Sequence, residues 1–438
     1  MGKKEDSLMA KKRKLNEEQE QAFVRSIIDS MPQGLNGLSL LGVVQHGASA
    51  ILKQAVIAEI NAFLGTKPYD RLPDSVEPKG ERNGFRQTTV DSPMGPVTYD
   101  RQRLANAPGF RSKIHVPYMR RPEEVAEAVT EMYISGVSTR KVKRALKAMT
   151  GEKSRLSRST VSRITERLRE EFAKWQTQSL KEKKVVYLFL DAIRIGMRME
   201  NTAKQAVLLA YGVLEDGSFE LLSVGIGHSE SDETWNKFIV DMKDRGLADP
   251  LLVVSDGNHG VITAIDTCFP TSYRQRCVKH KMDNVLDAIP KEKHGEVMPK
   301  LNRIFYGATS LEQAKEAIQA FKREYAKIYP SAIGRLEGDL DQALTFFLFP
   351  SAHWKRVRTS NRLERLNKEV RRRLNVIGRH PSEDGCLSLV YATCKRYEVG
   401  KYGFKSNDLI QALWKRLREQ KKEMIAQLDL DHGAKEAA

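Results

Sequence analysis

The stretch VVYLFLDAIRIGMR, from Val185 to Arg198, places one aspartate in the middle of an apolar run. Because side chains alternate between the two faces of a β-strand, Asp191 shares its face with apolar residues. These residues are Tyr187, Phe189, Ile193 and Ile195. An isolated carboxylate on a buried strand face loses its hydration without gaining a partner. The stretch therefore predicts a buried strand whose aspartate needs a partner that its neighbours do not supply.

This strand is followed by two more strand-like segments and then by helix-like and strand-like segments in turn. Strands are predicted at 185–198, 204–214, 219–227, 251–256 and 272–276. Helices are predicted at about 232–245, from about 258 and from about 280. Three meandering strands followed by alternating helix and strand are the element order of a ribonuclease-H-like fold. We therefore expect an α/β catalytic core built on a mixed sheet with helices.

Composition indicates several domains and an acidic partner. The chain has 438 residues, a formal net charge of +17 and four cysteines. This length exceeds one ordinary core, and the charge favours a nucleic-acid partner over the alternative of a merely soluble basic protein. So few cysteines form no disulfide framework and fit a reducing cytosol. Neither a signal peptide nor a membrane span is expected, because the longest uncharged stretch, 35–52, contains polar residues and several glycines.

The region before the strands is predicted to bind DNA. Helices are expected at 16–31 and 48–64, and a small β-containing module at 65–118. Two further helices, the second opening with SRSTVSRI near 158–170, resemble a helix-turn-helix, and Lys and Arg outnumber Glu there. The alternative is an ordinary helical hairpin with a charged face. The candidate DNA contacts are Arg140, Lys141, Lys143, Arg144, Arg158, Ser159, Thr160, Ser162 and Arg163.

Three carboxylates stand out by their positions. Asp191 lies within the first strand, Asp256 ends the strand LLVVSD, and Glu364 lies one turn into the helix of RTSNRLERLNKEVRRR. Taken alone, Asp256 could belong to a turn and Glu364 to a helix cap. Taken together, the three fit a Mg²⁺ site, since two such ions roughly 3.5–4 Å apart can drive phosphodiester chemistry.

Basic residues surround Glu364, and a Cys-x-x-His pair precedes it. Several arginines around one acid are what a helix needs to bind a phosphate backbone next to a metal ion. The alternative is an ordinary charged helix that faces solvent. The candidate DNA contacts here are Arg358, Arg362, Arg365, Arg371 and Arg372. Cys277 and His280 lack a second ligand pair of matching spacing, so support of the active site is favoured over zinc. A glycine-rich nucleotide loop and a GxSxG motif are both absent from the sequence, which argues against an ATP motor or a serine hydrolase.

At these residues the chain resembles the Mutator-type DDE transposases of bacterial insertion sequences. The similar motifs include YISGVSTRKV, STVSRI, LDAIRI, SESDETW, LLVVSDGNHG, RQRCVKHKMDNVL and RTSNRLERLNKEVRRR. The resemblance implies that Asp191, Asp256 and Glu364 are the DDE triad and that Cys277 and His280 are the C/D(2)H signature. It also implies an all-helical insertion before Glu364. In this insertion, Trp354 is a candidate for stacking on DNA bases, with a core anchor as the alternative.

The domain organisation expected from these observations has six parts in chain order. They are an N-terminal helical and small β module that binds DNA (1–121), a helix-turn-helix domain (122–182), the first part of the ribonuclease-H-like catalytic domain (183–293), the all-helical insertion (294–353), the second part of the catalytic domain (354–400) and a basic C-terminal helix (401–438).

The resemblance implies a transposase that binds the terminal inverted repeats of its insertion sequence and catalyses strand cleavage and strand transfer. It would use Mg²⁺, for which Mn²⁺ can substitute, and act as a homodimer on double-stranded end and target DNA. Neither a membrane nor a nucleotide cofactor is expected, and the location would be the bacterial cytoplasm at the nucleoid. Two alternatives stay open: a catalytically inactive DNA-binding protein derived from a transposase, and a general ribonuclease-H-like nuclease.

Overall fold

The computed structural model divides the chain into two compact units. The first comprises residues 1–133 and 138–164, and the second comprises 134–137 and 165–438. Within them the structure describes residues 22, 25, 40–70, 73, 76–92, 95–114, 123–138, 141–142, 144–145, 158–195, 205–227, 230–377, 382–397, 404 and 406–436. Apart from residues 22 and 25, which are helical, the predicted helix at 16–31 lies outside these residues, and so does most of the first helix of the predicted helix-turn-helix.

The first unit contains a long helix packed on a β-hairpin. Helix α1 (Leu40–Leu64) begins earlier than the predicted 48–64, and strands β1 (Glu81–Ser92) and β2 (Gly95–Ala105) pair antiparallel within the predicted β module. Val56 and Ile60 of α1 are buried against Tyr99 of β2. Arg82 of β1 donates to the Asn61 side chain at 2.7 Å, which ties the hairpin to the end of the helix.

Two further helices precede the large sheet along the chain. Helix α2 spans Glu123–Ile134, and helix α3 spans Arg158–Gln176. The second of these contains the predicted recognition helix at 158–170 and continues beyond it by two turns.

The second unit is built on a five-stranded mixed sheet. Its strands are β3 (Val185–Ile195), β4 (Gln205–Leu214), β5 (Phe219–Gly227), β6 (Leu252–Ser255) and β7 (Tyr273–Arg276). They lie in the order β5-β4-β3-β6-β7, with β3, β4 and β5 antiparallel and with β6 and β7 parallel to β3. All five strands were predicted, and the predicted extension of the first strand to 198 lies outside the described residues.

Strand β3 is the centre of the sheet and is buried on both faces. Leu188 and Leu190 face a core that includes Trp235 of helix α4 (Asp232–Asp244) and Val261 of helix α5 (His259–Cys268). The alternate residues Tyr187, Phe189 and Ile193 are also buried, with at most 1% of their surface exposed. Asp191 lies among them at 9% exposure, as the period of two predicts.

Only helical elements lie between β7 and Glu364, a segment that the structure describes throughout. They include α6 (Val278–Leu286), α7 (His294–Asn302), α8 (Leu311–Tyr325), α9 (Pro330–Glu337), α10 (Leu340–Leu344) and α11 (Ser351–Val357), with short 3₁₀ or π turns at 291–293, 303–307 and 345–348. Helices α12 (Asn361–Ile377), α13 (Glu383–Tyr397) and α14 (Asp408–Glu436) follow. Among the described residues, no helix combines the length and the apolar character needed to cross a membrane.

Tyr187 joins the central strand to two of these later helices. Its hydroxyl lies 2.8 Å from Nδ1 of His353 in α11 and accepts a hydrogen bond of 3.0 Å from Nε1 of Trp414 in α14. All three side chains are buried. Since an unpaired polar group costs free energy in such a place, the hydroxyl fixes both helices against the strand.

We expect Tyr187→Phe to lower the free energy of unfolding by about 1–3 kcal/mol, because two buried polar groups lose their shared partner. Thermal and denaturant unfolding followed by circular dichroism measures this loss. Tyr329→Phe is the matched control, since the Tyr329 hydroxyl makes no hydrogen bond within the described part of the chain. Equal stability of Tyr187→Phe and the control would contradict this role.

Candidate active site

The three acids identified in the sequence line one pocket. Asp191 lies on β3, Asp256 directly follows β6, and Glu364 lies in the first turn of α12. In the parallel pair of β3 and β6, Phe189 is level with Val254, and each aspartate lies two residues further on. The two aspartates therefore lie level with each other just beyond the paired part of β3 and β6, and together with Glu364 they line a pocket of about 440 Å³.

The Asp191 carboxylate is held by two neutral donors. Its Oδ1 accepts the backbone N–H of Ala192 at 2.8 Å, and its Oδ2 accepts Nδ2 of Asn367 at 2.7 Å. Burial, together with the negative charges of Asp256 and Glu364, raises the pKa of Asp191 to about 6, against the lowering effects of the Ala192 N–H and of the positive charge on His280. The side chain is thus fixed in position while its ionised form remains unfavourable.

The backbone around Asp256 is fixed by a buried arginine. Arg276 at the end of β7 donates through Nη1 to the Asp256 carbonyl, and its Nε lies 3.1 Å from Oδ2 of Asp339. Asp339 also receives the buried ammonium of Lys281. A side chain at Gly257 would overlap the guanidinium of Arg276 and would displace it from its present position.

Glu364 has one paired and one unpaired oxygen. Its Oε2 lies 2.9 Å from Nζ of Lys279, and this contact raises the pKa of Lys279. Its Oε1 is buried without a hydrogen-bond partner among the described residues, and the same holds for Oδ1 of Asn367. Two buried oxygens without donors, beside the other acids, leave room for a cation or water between them.

Cys277 and His280 lie beside Glu364. Cys277 directly precedes α6 and is fully buried, with its Sγ 3.4 Å from Oγ of Ser360. One donor atom from each of Cys277, His280 and Glu364 lies within 4.8 Å of the others.

The Cys277 and His280 side chains stabilise each other's charged forms. Burial alone would raise the pKa of the Cys277 thiol, but hydrogen bonding and the positive charge of His280 hold it below its usual value. Hydrogen bonding to Cys277 raises the pKa of His280 to about 9 against burial, and the charges of Asp191 and Asp256 add to the effect. Positive charge on His280 therefore lies next to the acidic pocket.

Several residues of the site were not identified from the sequence. Asn367 holds Asp191, and Lys279 pairs with Glu364. Glu230 lines the pocket as a further acid and accepts Nδ2 of Asn258 at 3.1 Å. Helix geometry offered a signal for Asn367 alone, because it lies three residues after Glu364 on the same face.

The basic residues predicted to contact DNA on α12 lie at or near the surface where they are described. Arg371 lines the pocket, and Arg365 is exposed. Arg372 is exposed and donates to Glu369 at 3.2 Å. Arg362 belongs to α12, but its side chain lies outside the described residues.

Arg358 and Trp354 are instead engaged with neighbouring aromatic residues. The Arg358 guanidinium donates to the carbonyl of Phe305 at 3.0 Å and lies 4.4 Å from the ring centre of Tyr306. The Trp354 ring meets that of Phe347 edge-on with centres 4.8 Å apart, and Trp354 is half-buried. This packing is what a core anchor would show, and the stacking of Trp354 on DNA bases stays a prediction.

The residues predicted to read DNA through the helix-turn-helix are described only in part. Lys141 and Arg144 are exposed in helical backbone, whereas Arg140 and Lys143 lie outside the described residues. For a further set, the structure describes the backbone, which belongs to α3, but not the side chains. This set is Arg158, Ser159, Thr160, Ser162 and Arg163.

We expect Asp191→Asn to stabilise the metal-free protein. The pKa of Asp191 is about 6 in the folded chain against an ordinary 3.8, so folding disfavours the ionised form. This lowers the free energy of unfolding. The loss is absent below the ordinary pKa, grows as the pH rises and is complete above the folded pKa, where it amounts to about 3 kcal/mol. Asparagine does not ionise, so its gain should be largest near pH 7.5 and about half as large at pH 5.

Denaturant unfolding in the presence of a chelator at the two pH values measures this gain. Asp244→Asn is the matched control because Asp244 is an exposed position of α4. An Asp191→Asn protein that is no more stable than the wild type at either pH would contradict the claim that ionised Asp191 destabilises the metal-free protein.

Comparison with known proteins gives the family. The family model described as Transposase, Mutator family, matches residues 31–399. The transposase for insertion sequence element ISRM5 of Rhizobium meliloti is 33% identical over 85% of this chain and 89% of its own length. The transposase for IS406 of Burkholderia multivorans is 31% identical over 82% of this chain and 90% of its own length. The transposase for IS256 in transposon Tn4001 of Staphylococcus aureus is 29% identical over 78% of this chain and 87% of its own length. The resemblance expected from the sequence is confirmed, and the chain belongs to the Mutator family of transposases.

Proposed function

We propose that this chain is a DNA transposase that cleaves and joins DNA strands at the ends of its own insertion sequence. The observation that carries the proposal is the convergence of Asp191, Asp256 and Glu364 on one pocket, from three separate elements. The relatives, which are named as transposases of insertion sequences, support the same function. The presence of all three acids argues against an inactive DNA-binding descendant.

A ribonuclease-H-like core is the fold that we propose for the second unit. Its support is the strand order, in which three antiparallel strands are followed by two strands parallel to the first. Two of the acids lie just beyond the paired part of two neighbouring parallel strands, Asp191 within β3 and Asp256 directly after β6. The helices α7 to α11, which precede Glu364 in the chain, support an all-helical insertion in this core.

The pocket residues fit a hard divalent cation. Mg²⁺ prefers oxygen ligands, and the pocket offers the carboxylates of Asp191, Glu230, Asp256 and Glu364 and the amide oxygen of Asn367. Oε1 of Glu364 and Oδ1 of Asn367 have no hydrogen-bond partner among the described residues. Asp191, Asp256 and Glu364 would hold Mg²⁺, or Mn²⁺ in its place. When bound, the cation would supply Lewis acidity at the phosphodiester and at the attacking oxygen.

The cationic residues of the pocket would bind and orient the DNA backbone. Arg194, Lys279, Lys368 and Arg371 line the pocket together with the acids. Phosphate oxygens would pair with these side chains, so that the scissile bond lies over the carboxylates. Asn367 and the Ala192 N–H would keep Asp191 oriented throughout. Water would cleave one strand, and the freed 3′-hydroxyl would then attack a second phosphodiester, so a protein nucleophile is unnecessary.

Recognition of the DNA ends is proposed for the N-terminal part of the chain. The helix-turn-helix predicted at 122–182 and the module before it would bind terminal inverted repeats, and a homodimer would pair the two ends. The net charge of +17 supports contacts with DNA beyond the pocket.

Replacing any one of Asp191, Asp256 and Glu364 by alanine should reduce cleavage of labelled end DNA at least about a thousandfold. The reason is that the bound cation is expected to contribute several kcal/mol of transition-state stabilisation. Gel analysis of the full chain with Mg²⁺ gives the rates, and Glu233→Ala, at an exposed acid of α4, is the control.

Undiminished cleavage by one of the three alanine variants would remove that acid from the site. Wild-type protein that binds end DNA specifically but never cleaves it would favour the inactive DNA-binding alternative. Cleavage that ignores the end sequence would favour the general nuclease.

Lys279→Gln should strengthen the binding of Mg²⁺ in the absence of DNA. Lys279 competes with the cation for Oε2 of Glu364, and a partly exposed pair of this kind contributes about 0.2–1 kcal/mol. The expected gain in affinity is therefore about 1.5-fold to 5-fold. Thermal shift as a function of Mg²⁺ concentration measures it, with Lys237→Gln as the control because Lys237 pairs with Glu233 on the exposed face of α4. Weaker binding by Lys279→Gln would show that the lysine supports the metal site.

A further inference from the structure

Cys277, His280 and Glu364 form a donor set that differs in chemistry from the three acids. Their donor atoms lie within 4.8 Å of one another, so a small movement would place all three around one ion. Cys277 is fully buried, and His280 is half-buried with its Nδ1 making no hydrogen bond to the described residues. The set therefore combines sulfur, nitrogen and oxygen donors, and Nδ1 of His280 has no hydrogen-bond partner among the described residues.

Such a set suits a borderline-soft cation better than a hard one. Zn²⁺ binds thiolate, imidazole and carboxylate ligands, and three protein ligands leave its fourth position for water. Mg²⁺ seldom takes sulfur or imidazole. The sequence argued against zinc because the Cys-x-x-His pair has no second pair of matching spacing. The third donor comes instead from Glu364, which lies in α12 rather than near the pair in the chain.

We propose that Cys277, His280 and Glu364 form a second metal site, selective for Zn²⁺ and similar ions, which shares Glu364 with the acidic pocket. Because one carboxylate serves both sites, an ion in the second site withdraws Glu364 from Asp191 and Asp256. Zinc-class ions would then inhibit strand cleavage that Mg²⁺ supports. The inhibition rests on the proposed function, whereas the site itself does not.

Cobalt spectroscopy of the full chain tests the site without any activity. Co²⁺ replaces Zn²⁺ with the same ligands and reports a bound thiolate through a sulfur-to-metal charge-transfer band. We expect a single equivalent of Co²⁺ to produce this band together with the visible bands of a four-coordinate ion. Zn²⁺ should abolish both, and a large excess of Mg²⁺ should leave them in place.

Four variants make the test specific. Cys277→Ser should lose the charge-transfer band, whereas Cys268→Ser, at another buried thiol, should keep it. His280→Gln should weaken Co²⁺ binding at least about tenfold, since loss of a ligand costs no less than loss of its supporting partner. This variant also decides the question if Cys277→Ser fails to fold. Asp191→Asn should retain the site, because Asp191 belongs only to the acidic pocket.

The absence of a sulfur band in the wild type, or its persistence in a folded Cys277→Ser protein, would overturn the proposal. Failure of the proposed function is a different result, namely intact cobalt bands in a protein that does not cleave end DNA with Mg²⁺.

Discussion

The buried carboxylate of Asp191 is the constraint on which the second unit depends. It lies on the central strand of the sheet, between apolar residues that hold it rigidly, and two other acids raise its energy when it is ionised. The donors that hold it, the Ala192 N–H and the Asn367 amide, carry no full charge. The positive charge of His280 offsets the cost of ionisation only in part, since the pKa of Asp191 is still raised to about 6. An ionised Asp191 at neutral pH therefore calls for a further cation, and the pocket supplies oxygen ligands for one.

The rest of the unit keeps the other two acids in place around that position. Arg276 holds the carbonyl of Asp256 and pairs with Asp339, which lies between α9 and α10 in the left-handed region at φ 53°. The long helical segment is thus tied to the strand end that carries the second acid. Helix α12 contributes Glu364 and Asn367 one turn apart, so a single helix positions both Glu364 and the amide that donates to Asp191. Tyr187 fixes α11 and α14 to the same strand.

Much of this arrangement could be predicted from local sequence patterns. The period of two identified the face of Asp191, and the strand pattern before Asp256 placed the second acid at the end of a strand. The partners of these acids could not be predicted, because their contacts depend on packing between distant segments. Asn367 contacts Asp191 from 176 residues further along the chain. Lys279 lies within the Cys-x-x-His motif, whose spacing gives no signal that this lysine pairs with Glu364. The aromatic residues in contact with Trp354 and Arg358 likewise could be known only from the fold, and the contacts of both residues with DNA stay predictions.

The central claim is that Asp191, Asp256 and Glu364 together bind one divalent metal centre. Anomalous diffraction from crystals of the full chain grown with Mn²⁺, which is a visible substitute for Mg²⁺, tests it most directly. The account predicts anomalous peaks from up to two ions whose ligands together include carboxylate oxygens of Asp191, Asp256 and Glu364, and loss of these peaks in crystals of Asp191→Asn. Ordered carboxylates with no peak between them, or a peak that persists in Asp191→Asn, would contradict it.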